Sequence, residues 1–178
     1  MPTVSSQGVG EVGKLWLLLP FTNLDCMLPA GDAWADVSII VPMRLNGIVE
    51  TCLYVDDMDV SLRFYEDLLG CKAASSGERL SLFHLGDSSH LLLFLRGATL
   101  EPIATNGGMI PPHDGSGPAH IGIGIDVSGF EAWESRLAEL GVRLESKVEW
   151  PSGGRSLYFR DPDGHLIELL TPGVWATY

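Results

Sequence analysis

Positive charge is scarce in this chain. Its 178 residues carry 11 Lys and Arg against 23 Asp and Glu, a formal net charge of −12. A surface of that sign repels phosphate backbones and anionic headgroups, so neither nucleic acid nor a membrane is an expected partner. Cysteine is scarcer still, with Cys26, Cys52 and Cys71 the only three. An odd number cannot all pair within one chain, and no two stand at the CxxC spacing of zinc or dithiol sites, so reduced thiols are expected. Long apolar runs are also missing. A membrane span needs about 18 continuous apolar residues, whereas the early stretch Leu15 to Leu19 is closed by Pro20 and preceded by Glu11 and Lys14. That stretch also lacks the basic start and longer apolar centre of a signal peptide, so a cytoplasmic location is expected. What is present is 46% hydrophobic and 19% charged residues with 21 Gly and 11 Pro, the profile of a folded globular chain.

The texture changes along the chain. Residues 1–46 hold scattered Gly and Pro and no sustained period, which predicts a poorly structured extension with at most a short strand near Val37 to Val41. From residue 47 onward the chain repeats itself. Strand Ile48 to Val55, helix Asp59 to Leu69 closed by Gly70, and strands Leu80 to Leu85 and His90 to Leu95 form one copy. Strand Ala119 to Val127, helix Phe130 to Leu140 closed by Gly141, and strands Val142 to Glu149, Ser156 to Arg160 and His165 to Leu170 form the second. Apolar stripes at helical spacing predict the buried faces, Val60, Phe64, Leu68 and Leu69 in one helix and Phe130, Trp133, Leu137 and Leu140 in the other. The reading is an α+β domain over 47–178: a βαβββ module at 47–98, an irregular linker at 99–118, a second module at 119–172 and a tail at 173–178.

An internal repeat places equivalent residues around one shared cavity. The first strands superpose at an offset of 70, which sets Glu50 opposite His120. The terminal hairpins align without gaps at an offset of 75, Ser81-Leu82-Phe83 onto Ser156-Leu157-Tyr158 and His90-Leu91-Leu92 onto His165-Leu166-Ile167, which sets Leu93 opposite Glu168. Strand alternation puts Glu50, Cys52 and Tyr54 on one face and flanks Glu168 with Leu166 and Leu170. An ionised carboxylate among leucines costs several kcal/mol, on the order of magnitude of a lost partner, unless it is paired or bound to a cation. Glu50, His120 and Glu168 are therefore the candidate ligands of one divalent ion. Glu50, Glu168 or Tyr54 is the candidate for moving a proton. His84, His90 and His165 lie in or beside hairpins and read as structural, His113 as a linker residue, Asp161 to Gly164 as a turn, and Arg155 as a contact for an anion or a surface carboxylate.

The segments Ile48-Val49-Glu50-Thr51-Cys52-Leu53-Tyr54-Val55-Asp56-Asp57, Arg63-Phe64-Tyr65-Glu66-Asp67-Leu68-Leu69-Gly70, Ala119-His120-Ile121-Gly122 and Gly154 through Leu169, with its Phe-Arg-Asp-Pro-Asp-Gly run, resemble the vicinal oxygen chelate superfamily of glyoxalase I, bleomycin-resistance proteins, fosfomycin-resistance enzymes and extradiol dioxygenases. The resemblance spans nearly all of residues 47–172. It implies that the modules form a curved, barrel-like mixed sheet around a shared cavity, that Glu50, His120 and Glu168 are the metal ligands, and that the chain is a homodimer. Leu93 stands where glyoxalase I has a fourth ligand, a glutamate, and Glu50 stands where the fosfomycin-resistance enzymes and dioxygenases have a histidine. The expected function is metal-dependent lyase, isomerase or transferase chemistry on a small oxygen-chelating substrate, with Mn²⁺, Mg²⁺, Fe²⁺ or Zn²⁺ all compatible. The alternative is binding or sequestration of a small molecule without catalysis, as in bleomycin-resistance proteins.

Overall fold

A computed structural model describes residues 44–86 and 88–178, so the strand expected near Val37 to Val41 lies outside the described residues. Leu45–Tyr178 is one compact unit. Its first module consists of strand Glu50–Val55 (β1), helix Met58–Leu69 (α1) and strands Ser75–Ser76 (β2), Leu80–His84 (β3) and His90–Leu95 (β4). The hairpin Ile103–Thr105 (β5) and Gly108–Ile110 (β6) follows. The second module is His120–Gly124 (β7), Phe130–Glu139 (α2), Leu144–Glu149 (β8), Arg155–Arg160 (β9) and Leu166–Leu170 (β10). The fold is α+β, as the repeat predicts. Its modules form two separate four-stranded mixed sheets, ordered β1-β4-β3-β2 and β7-β10-β9-β8, rather than one closed barrel. In each, the first strand runs parallel to the last. β1 and β7, which carry Glu50 and His120, are therefore edge strands.

Local chemistry sets the element ends. The Asp57 side chain accepts from the Val60 N–H at 3.0 Å and caps α1. Gly70, at φ 68°, takes the left-handed conformation and donates to the Glu66 carbonyl to end it. In the linker, expected to be irregular, Asn106 and Gly107 form the two-residue turn between β5 and β6.

Register corrects the sequence alignment of the hairpins. Leu82 pairs with Leu92 and Tyr158 with Glu168, so the modules superpose at an offset of 76 rather than 75. A one-residue slip in a strand moves every side chain to the opposite face. Leu93, aligned to Glu168 from the sequence, is fully buried beneath the helix, and the counterpart of Glu168 is Leu92. The fourth ligand position thus still carries leucine.

One apolar cluster joins the helix-covered faces of both sheets: Leu53, Tyr65, Phe83, Leu91 and Leu93 from the first module meet Phe130, Leu137, Leu157, Phe159 and Ile167 from the second. The α1 face is turned from the expected stripe. Val60 is exposed, and Met58, Ser61, Tyr65 and Leu68 are buried. Ser61 and Tyr65 win inside positions because the second module supplies acceptors. The Tyr65 hydroxyl donates to Asp161 Oδ2 at 2.8 Å, and the Ser61 hydroxyl donates to Asp163 Oδ2 at 2.6 Å. Asp161 also accepts from the Asp163 and His165 N–H groups, and Asp163 accepts from the Asp56 N–H. The segment read as a turn is thus also the fastening between modules. Buried His165 completes it, accepting from the Ala119 N–H at Nδ1 and donating from Nε2 to the Tyr54 carbonyl.

Among the described residues, no helix is long and apolar enough to cross a membrane. Replacing Tyr65 with Phe leaves the buried Asp161 Oδ2 without its donor. We expect Tyr65→Phe to lose about 1–3 kcal/mol of stability, read as a lower urea midpoint at unchanged slope.

Candidate functional site

The sheet faces turned away from the helices carry the candidate ligands. On the second sheet, register places Glu168 between Gly122 and Tyr158 and pairs His120 with Leu166. The His120 Nδ1–H donates to the Leu166 carbonyl at 3.1 Å, because a carbonyl can only accept. In the neutral ring this leaves the Nε2 lone pair outward, 3.4 Å from Glu168 Oε2. The other oxygen of Glu168, Oε1, accepts from the Tyr158 hydroxyl at 2.7 Å. Burial, and then the bond to Glu168, push the Tyr158 phenol up to about 12, so it remains a donor through neutral pH. The Glu168 side chain is 9% exposed, while His120 is half exposed.

Two acceptors facing each other repel unless a proton or a cation lies between them. Their separation suits a cation: donors each about 2.1 Å from a tetrahedral ion stand about 3.4 Å apart. The partners at His120 Nδ1 and Glu168 Oε1 are of the kind that orient metal ligands. The donor set therefore fits a divalent ion, but within one chain it supplies two ligands.

Glu50 does not complete it. Among the described residues, no three His, Cys, Asp or Glu side chains cluster closely enough to hold a metal ion. Glu50 instead lines a cavity of about 510 Å³ with Cys71, His84, His90, Gly122 and Trp133.

The first sheet's open face carries Glu50, Cys52 and Tyr54 beside Leu92 and Phe94. Burial, followed by the charge of Glu50, raises the Cys52 pKa, which favours a thiol over a thiolate. The Tyr54 hydroxyl lies 2.7 Å from His113 Nδ1. The sequence places His113 in a loop; in the fold it packs on Tyr54 and Phe94, its ring 4.7 Å from that of Phe94. The signal that could have found it is the Asp114-Gly115 pair, whose aspartate and close-approach glycine hold the loop down. His84 and His90 meet edge to face at 4.9 Å, and Arg155 pairs with Glu131 at 2.5 Å over the Phe130 ring, so neither set joins His120.

Comparison with known proteins identifies the family. Residues 47–169 match the model of the glyoxalase/bleomycin resistance protein/dioxygenase superfamily, and the chain belongs to that superfamily. It is 30% identical over 129 residues to the metallothiol transferase FosB of Shouchella clausii, covering 71% of this chain and 81% of that protein. It is 28% identical over 135 residues to a probable lactoylglutathione lyase of Vibrio cholerae, covering 72% and 92%. Among solved structures, a lactoylglutathione lyase from Agrobacterium tumefaciens superposes with a TM-score of 0.67 at 31% identity, covering 75% of this chain and 99% of that one.

Removing the Tyr158 hydroxyl takes away the donor that orients Glu168. Tyr158→Phe is expected to weaken divalent-ion binding about 10- to 100-fold, measured by competition with a chromogenic chelator.

Proposed function

We propose that this protein is a divalent-metal-dependent enzyme of the glyoxalase-like type, a lyase, isomerase or transferase, acting on a small oxygen-chelating molecule. In this reading two copies share each site. The observation that carries it is the His120–Glu168 pair, oriented from behind on both members and one ligand short within the chain. Glu50 from a second copy supplies the third ligand. Among the described residues β1 and β7 are the edge strands of their sheets, which supports this assembly because such edges are templates for pairing. Pairing β1 of one copy along β7 of another brings Glu50 beside His120 and extends the sheet across two chains.

The residues would have distinct tasks. His120, Glu168 and Glu50 would hold the ion, whose bound form polarises substrate oxygens as a Lewis acid. Two carboxylates and one imidazole are compatible with Mn²⁺, Mg²⁺, Fe²⁺ or Zn²⁺. Tyr158 holds Glu168 in place, and the apolar surroundings of Glu168 exclude water. Glu50 lies at an exposed strand start, so it is the carboxylate best placed to exchange a ligand role for that of a proton acceptor.

Metal analysis of protein purified without chelators is expected to find one divalent ion per chain, lost in Glu50→Ala and in His120→Ala. Co-folding those two variants at equal amounts regenerates one intact site in each mixed dimer, about a quarter of the wild-type metal content. No recovery sinks the shared site. No metal in the wild type favours sequestration without catalysis.

A further inference from the structure

The open face of the first sheet holds a second constellation that the metal chemistry does not use. Tyr54 and His113 are bonded at 2.7 Å, and the segment bearing His113 is clamped onto β1 and β4. The His113 N–H donates to the Thr99 carbonyl at 3.0 Å, and the Thr99 hydroxyl donates back to the His113 carbonyl. Asp114 accepts from the N–H groups of Gly97 and Gly115 at 2.9 and 2.8 Å. Arg96 bonds the Gly115 carbonyl at 3.2 Å, the Tyr54 carbonyl at 3.0 Å and the Asp56 carboxylate. Gly115 lies so close to the Tyr54 ring that a Cβ there would stand 2.5 Å from Cδ2. Several hydrogen bonds and an obligatory glycine thus hold one imidazole against one phenol.

We propose that Tyr54 and His113 form a recognition subsite for the far end of an extended substrate, taking a neutral group that both donates and accepts hydrogen bonds, such as an amide or a hydroxyl. The inference rests on the metal-site reading above and deepens it by specifying the substrate class. Tyr54 is four residues beyond Glu50 on the same strand face, which sets the two about 13 Å apart at Cα. That distance separates Tyr54 from the reacting atoms, so it binds rather than moves the proton assigned to it from sequence alone. Between them lie Cys52 and Leu92, a floor for an apolar middle portion.

The pair's own bond decides the chemistry of the tail. If the phenol donates to Nδ1, the imidazole offers its Nε2–H and the phenol oxygen offers a lone pair. If Nδ1–H donates instead, the phenol offers its O–H and Nε2 a lone pair. Either way one donor and one acceptor face outward, and His113 Nε2 has no partner among the described residues. An anionic tail is disfavoured because Asp114 stands close enough to help raise the Tyr54 pKa, after burial and Cys52, while Arg96 is already bonded to Asp56.

The test uses metal-loaded, full-length protein and hydroxamates as probes, measured by isothermal titration calorimetry. Acetohydroxamate reports on the metal alone. Alkyl hydroxamates of increasing length, ending in a primary amide, a methyl or a carboxylate, report on the subsite. The amide-ended compound with about nine methylenes, near the expected span of about 13 Å, should bind on the order of tenfold tighter than its methyl-ended partner. That preference should fall below about twofold in Tyr54→Phe and His113→Ala. A preference absent from the wild type, unchanged in both variants, or exceeded by the carboxylate overturns the subsite. Failure of acetohydroxamate to bind overturns the metal reading and this inference with it.

Discussion

The shared apolar core between the two helix-covered sheet faces is the constraint on which the rest depends. Each βαβββ module has one face that must leave water, and the modules satisfy that need by burying those faces together. The opposite faces carry the polar groups: Glu50, Cys52 and Tyr54 on one, His120, Tyr158 and Glu168 on the other. The same packing leaves β1 and β7 as edges.

The turn from Asp161 to Gly164 shows how polar groups reinforce that closure. Burial pushes the Asp161 carboxyl up, and the Tyr65 hydroxyl and His165 N–H oppose that by bonding the charged form. The result is a joint with a specified geometry rather than two apolar surfaces free to slide. His165, read as structural from the sequence, is occupied at both ring nitrogens and belongs to this joint.

The two open faces divide their labour in a comparable way. The second sheet concentrates a nitrogen and a carboxylate oxygen with their orienting partners already in place. The first sheet offers one carboxylate at its exposed end and, farther along β1, an imidazole clamped against a phenol.

Much of the architecture was legible in the residues. The strand–helix–strand repeat, the helix end at Gly70, and the candidacy of His120 and Glu168 follow from periodicity, capping chemistry and the cost of a carboxylate among leucines, which are local matters. The hairpin register was not legible, because an ungapped match of Ser-Leu-Phe to Ser-Leu-Tyr scores well while placing Leu93 on the wrong face; only strand pairing distinguishes 75 from 76. The inner face of α1 was misread because Ser61 and Tyr65 become buried only when Asp163 and Asp161 arrive from about a hundred residues away. Glu50 and His120 were correctly identified as equivalent, yet equivalence in sequence says nothing about proximity, which depends on which faces the core consumes. Tertiary packing alone decided that, and it also brought His113 from the linker onto Tyr54.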